Sequence, residues 1–283
     1  MAASFIFAAF TRRNAAFALR TKRGAVLADI QSANIVGYKT AKVAKANYKA
    51  FSLNLADVNN PTAGVKIDKL FTIDTITSAP AWGNGMDQIW RWDTTVNKWA
   101  KYGYQKPART GTAAWRKYDA TTSAFTELTD ADVVLPGETF LYFRGGNATA
   151  TLTLAGQVKE FTATVSYTIA KANYQFVAYP WPVEFKLSQI SSIADFSSLT
   201  SAPAWGNGMD QIWRWDTTVN KWAKYGYQKP ARTGTAAWRK YDAATGAFVE
   251  LTDEDKILAD EGFLYFRGGN ATLTLTFKAL QAE

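Results

Sequence analysis

The side chains best suited to contact chemistry in this chain are aromatic and basic, and they are interleaved. Trp82, Trp90, Trp92, Trp99, Tyr102, Tyr104 and Trp115 alternate with Arg91, Lys98, Lys101, Lys106, Arg109, Arg116 and Lys117, against only Asp93 and Asp119. Residues 90–119 therefore carry seven basic and two acidic side chains, a net +5. The set returns as Trp205, Trp213, Arg214, Trp215, Trp222, Tyr225, Tyr227 and Trp238. Exposed, such rings could stack on the C–H face of a pyranose while nearby Asp, Asn, Gln and Arg bond its hydroxyls. Aromatic-plus-basic faces also suit acidic polysaccharide, and they stack bases and contact phosphates in single-stranded nucleic acid. The same residue types equally build a β core and cross-strand pairs, with Lys and Arg stems lying along the rings. Trp82 is the ring most expected to meet solvent, because Ala81-Trp82-Gly83-Asn84-Gly85 reads as an irregular loop.

Catalytic groups are scarce by type. The chain has no His and no Cys, which rules out a Ser-His-Asp triad, thiolate nucleophiles, disulfides and zinc–thiolate sites. Asp130 with Asp132, and Asp253-Glu254-Asp255, are acidic clusters that lack the spacing of an EF-hand. A glycosidase needs two facing carboxylates, and nothing in the spacing supplies such a pair. Gly145-Gly146-Asn147 and Gly268-Gly269-Asn270 follow strands and do not open helices, so they are not phosphate loops. Asp87, Asp93 and Asp119 read as hairpin-turn aspartates. The residue types point to a non-enzyme that needs no cofactor and no metal.

The elements that must position these groups are repeated. Thr77 to Ala120 and Thr200 to Ala243 are the same forty-four residues, 123 positions apart, so a recent duplication or a selected surface is implied. That period is too long for a solenoid or a propeller blade. It divides the 283 residues into a basic leader or disordered arm (1–32) and two units (33–160 and 161–283). The leader carries +4 of the total +8 (Arg12, Arg13, Arg20, Lys22 and Arg23 against Asp29), so the body is only mildly basic. Within a unit the signals are those of strands. Trp92–Trp99 and Tyr118–Phe125 each place two rings around a polar turn, so that they face one another across a hairpin. Thr139–Phe143 is apolar on both faces, as a central strand is. Val65–Ile76 has room for one short helix. No later stretch is long and apolar enough for a membrane-spanning helix. The connection at Gly156–Glu160 is short, so the units are expected to pack or to hold a restricted angle.

On these residues the chain resembles a group of secreted bacterial repeat proteins of planctomycete and verrucomicrobial type. The matching motifs are Ala33–Tyr38, Trp92–Trp99, Leu135–Phe143 and Thr151–Gly156 in the first unit. Trp215–Trp222, Gly262–Phe266 and Thr272–Thr276 match in the second, where the opening strand and the Pro-Gly turn are degenerate. The resemblance implies an extracellular or cell-envelope location and brings no activity.

The expectation is thus an all-β protein of two tandem antiparallel sandwich-like domains, structural or adhesive and not enzymatic. The alternative is a carbohydrate-binding protein using the aromatic and basic residues named above. Possible partners are a polysaccharide or a second copy; nucleic acid is the least favoured.

Overall fold

The computed structural model describes residues 36–56, 64–96, 98–158, 164–231 and 233–278. The expected leader (1–32), the start of the first strand and residues 159–160 of the inter-unit connection lie outside the described residues.

The fold is all-β and antiparallel. In the first unit the principal strands are β1 (Val36–Val43), β2 (Tyr48–Ser52), β3 (Gln88–Asp93), β4 (Lys98–Gln105), β5 (Ala114–Asp119), β6 (Ala124–Glu127), β7 (Thr139–Phe143) and β8 (Ala150–Val158). Six of them form one sheet in the order β2-β7-β3-β4-β5-β6. β1 and β8 pair in a second, smaller sheet, with Leu55–Ala56 and Thr72–Ile73 also paired to β8. The second unit runs β9 (Val165–Ile169), β10 (Tyr174–Ala178), β11 (Gln211–Asp216), β12 (Lys221–Gln228), β13 (Ala237–Asp242), β14 (Ala247–Val249), β15 (Gly262–Phe266) and β16 (Leu273–Phe277). Its large sheet repeats the order, β10-β15-β11-β12-β13-β14, and β9 pairs β16 in the small one. Among the described residues no strand pairs across the two units.

The sandwich follows from the period-two alternation of side chains. One face of the first large sheet sends Phe51, Ile89, Tyr102, Trp115, Phe140 and Tyr142 against Ala41, Val43, Leu152 and Leu154 of the small sheet, and this is the unit's core. β7 lies between β2 and β3 and is buried on both faces, as its unbroken apolar run predicts. The turn chemistry is also the expected kind, since Asp93 accepts from Thr95 N–H and Asp119 from Thr121 N–H. The short helix expected in Val65–Ile76 is one 3₁₀ turn at Ile67–Lys69.

Asp87 is not a hairpin aspartate. It is fully buried and takes Arg144 Nη1 at 2.6 Å, Thr77 N–H at 2.8 Å and Gly145 N–H at 2.9 Å, tying the loop before β3 to the end of β7. Asp210 repeats the knot with Arg267, Thr200 and Gly268. A buried carboxylate persists only when paired and hydrogen-bonded, and these satisfy that condition three times over. Gly145 has its own reason: a Cβ there would collide with the Met86 backbone.

Candidate functional site

The face of the large sheet turned away from the core carries most of the aromatic residues singled out by sequence. One cross-strand row spans all six strands: Ala50, Leu141, Trp90, Lys101, Tyr118 and Phe125. The equivalent row in the second unit is Phe176, Leu264, Trp213, Lys224, Tyr241 and Phe248. Its two ends meet different fates.

At the β2–β7 end the two units press their faces together. Ala50, Leu141, Phe176 and Leu264 form a buried cluster, with Trp90, Trp92, Trp99, Trp213, Trp215 and Trp222 packed around it. Tyr48 meets Trp215 at 5.5 Å and Trp99 meets Phe176 at 5.3 Å, both edge-on. Polar contacts rim this seam: Lys49 pairs Asp260 at 2.7 Å, Ser52 N–H donates to Asp260 O, Asn54 Nδ2 donates to Ala259 O, and Tyr167 OH donates to Gly137 O. Lys39 is buried beside it, its ammonium held by the Ser52 carbonyl and hydroxyl and by Asn54 Oδ1. Burial, only partly offset by Asp260, lowers its pKa to about 7.

At the β5–β6 end the face is open. Trp82 folds over the sheet and stacks on Tyr118 at 4.5 Å, with an interplanar angle of 13°. Pro80, Ala81, Gln105, Tyr118 and Phe125 complete a cleft of about 370 Å³ beside it. Gln105 Nε2 donates to Pro80 O, and its amide oxygen has no hydrogen-bond partner among the described residues. The stack recurs as Trp205 on Tyr241 at 4.5 Å, with Gln228 on Pro203 O.

The fourteen aromatic residues picked from sequence (seven per unit) therefore divide three ways, and Arg91 and Arg214 stand apart in ion pairs. Tyr102, Trp115, Tyr225 and Trp238 belong to the cores, and Tyr104 and Tyr227 pack against them. The expectation that they line a binding surface is corrected, because the strand parity that puts Ile89 inside puts them inside too. Trp90, Trp92, Trp99, Trp213, Trp215 and Trp222 pack around the seam cluster and are each partly buried there. Trp82 and Trp205 stand at the open clefts, half-buried by their tyrosine partners.

Of the seven basic residues in 90–119, three have carboxylate partners. Arg91 makes a two-pronged pair with Glu138, and Arg214 with Glu261. Arg116 pairs Glu127 at 2.7 Å and Lys117 pairs Asp132 at 3.0 Å. Lys101 Nζ lies 4.4 Å from the Trp90 ring centroid, a cation–π contact that fixes it to the sheet. The acidic cluster is committed as well. Burial alone would raise the Asp132 carboxyl, but Thr129 N–H, the Lys117 ammonium and the Thr129 hydroxyl hold it below the usual aspartate range. Asp255 is held the same way by Thr252 and Lys240. Among the described residues no three acidic side chains converge as a metal site, and no helix is long and apolar enough to cross a membrane.

The fold and this face define an all-β protein of two like units joined by an aromatic seam and bearing the same Trp–Tyr stack at each outer end. No protein-family model matches the chain, and no curated protein does.

Sequence reasoning missed Asp87–Arg144, Lys39 and the seam itself. The first left a trace, since Asp87 and Arg144 each recur 123 positions on. Lys39 left none.

Proposed function

We propose that the chain is a non-enzymatic structural or adhesive protein working at the cell surface or outside the cell. It is a joined pair of β units that offers the same small aromatic cleft twice. The observation that carries this reading is the division of the aromatic face: its inner end closes the units on one another and its outer end repeats one cleft at Trp82 and Trp205. Two equal sites on one body raise avidity without any new contact, provided that both can engage a surface at once. The carboxylates in the repeats are held in ion pairs and turn caps, which supports a binding role over hydrolysis.

A second reading, a carbohydrate-binding protein, is favoured by the stacked Trp82–Tyr118 pair beside the Gln105 side-chain amide. Polyanion binding gains less support, because Arg91, Arg116 and Lys117 already have carboxylate partners.

The test is retention of the full chain on a panel of neutral and acidic insoluble polysaccharides, with electron microscopy of the purified protein alongside. Binding that falls several-fold in Trp82→Ala and at least tenfold in Trp82→Ala/Trp205→Ala supports adhesion through the clefts. Ordered assemblies without polysaccharide binding support a scaffold role. Release of reducing ends, or neither binding nor assembly, removes the proposal.

A further inference from the structure

The seam joins two units of the same kind, yet its centre is not symmetric. Phe143 and Phe266 are equivalent, as are the strands β7 and β15 that end on them, so Thr139 and Gly262 occupy the same position in the two units. In the structure these two positions face each other. A Cβ placed on Gly262 would run into the Thr139 side chain, striking its hydroxyl, methyl and Cβ together. Thr139 is 1% exposed and its hydroxyl has no hydrogen-bond partner among the described residues. One unit thus supplies a side chain at the centre and the other supplies the space for it.

The adjacent strand pair shows the reverse assignment. Ala50 pairs Leu141 and Phe176 pairs Leu264, so Ala50 and Phe176 are equivalent. Both sit in the one buried seam cluster, where the Phe176 ring touches Trp99 of the other unit at 5.3 Å and Trp222 of its own at 6.3 Å. The first unit is therefore large at 139 and small at 50, and the second is small at 262 and large at 176. The rest of the row, from Leu141/Leu264 to Phe125/Phe248, is identical in type. Within this face the size exchange falls at these two central positions, while the rim differs separately, with Asp260 where the first unit has Gly137.

We propose that this aromatic face is a coded pairing surface whose partner is the other unit of the same chain. The size exchange at Thr139/Gly262 and Ala50/Phe176 admits that partner and refuses a second copy of either unit. Pairing two first units would set Thr139 against Thr139, where the structure has room for one side chain. Pairing two second units would bring two Phe176 rings into space now shared with Ala50 and leave a gap between two glycines. Interiors are packed too tightly to absorb such changes without loss. Because the matching unit is tethered in the same chain, the face is filled within one molecule, and the protein is a monomer with respect to it. This holds whatever the outer clefts bind.

The test uses the full chain, read by light scattering after gel filtration, thermal melting and quenching of tryptophan by acrylamide. The wild type runs at the mass of one chain over a wide concentration range. Gly262→Thr lowers the melting temperature by about 5–10 °C and raises quenching as the indoles of the seam open. Thr139→Gly/Gly262→Thr moves the same two residues to opposite sides and returns both readings to the wild-type values. Phe176→Ala also loses stability and quencher protection, and Ala50→Phe/Phe176→Ala recovers them. Because each exchange keeps the composition unchanged, recovery decides the matter even where a single variant is insoluble. Three results would overturn the proposal: exchanges no better than the single variants, single variants that melt and quench like the wild type, or a wild-type dimer that Trp92→Ala/Trp215→Ala abolishes.

Discussion

The two ends of the outer sheet face are built from the same residue types, and only one of them is closed. At the inner end Trp92 and Trp99 meet at 5.2 Å and are packed against Phe176 and Leu264 of the other unit. At the outer end Tyr118 and Phe125 meet at 5.3 Å in the same cross-strand manner and are roofed only by the Trp82 loop. The local pairing rule is the same in both places. What differs is the neighbour, which belongs to the other unit and comes from 77 or more residues away in sequence. An aromatic cluster on a sheet face therefore does not by itself announce a binding platform.

This contrast sets the order of expected effects. Trp92→Ala removes a ring from the seam and should cost about 3 kcal/mol by denaturant titration. Trp215→Ala should cost about the same, and a value near that of Trp82→Ala in both would erase the distinction between the two ends.

Lys39 sharpens the comparison through pH. Its folded pKa of about 7 lies below the ordinary lysine value of 10.5. Between those two values the unfolded chain binds the proton and the folded chain does not, so stability rises with pH across that window and is flat below it with respect to this group. Over the whole window the rise should be on the order of 5 kcal/mol. Lys39→Met should be more stable than the wild type at pH 6 and should lose the slope. A wild-type stability independent of pH from about 7 to about 10 would show that the seam leaves this amine hydrated.

Asp132 acts in the opposite sense. Its folded pKa is lowered, so its contribution is present above the ordinary aspartate pKa and is lost as pH falls through the folded value. Asp132→Asn should cost about 1–2 kcal/mol at neutral pH and should flatten the acid limb of the stability curve. The smallest effect belongs to the open end. Trp82→Ala should cost about 1 kcal/mol, with the seam contacts and the chain's mass unchanged.

Much of the fold was legible because local rules carried it. The Trp92/Trp99 and Tyr118/Phe125 hairpins, the buried strand Thr139–Phe143 and the turn roles of Asp93 and Asp119 all follow from spacing and turn chemistry. Strand parity could have separated Tyr102 and Trp115 from Trp90 and Trp99, since Ile89 marks the inner face one residue from Trp90. It did not do so because both faces of these strands are aromatic. The seam was not legible, because nothing in a strand's own sequence tells whether its second face meets water or another unit. The asymmetry of Thr139 against Gly262 is visible in the aligned repeats, but its meaning requires knowing that the two positions face each other.

The central claim is that the two units are closed on each other through this face, and the absence of cysteine makes it directly testable. Asn47 Nδ2 donates to Thr217 O at the solvent-exposed margin of the seam. Asn47→Cys/Thr217→Cys introduces the only two thiols in the chain, at positions that this hydrogen bond brings together across the seam. Mild oxidation should yield an intramolecular disulfide in nearly all molecules, at the mass of one chain and with a raised melting temperature. Thiols that stay free, or that pair only between chains, would contradict it.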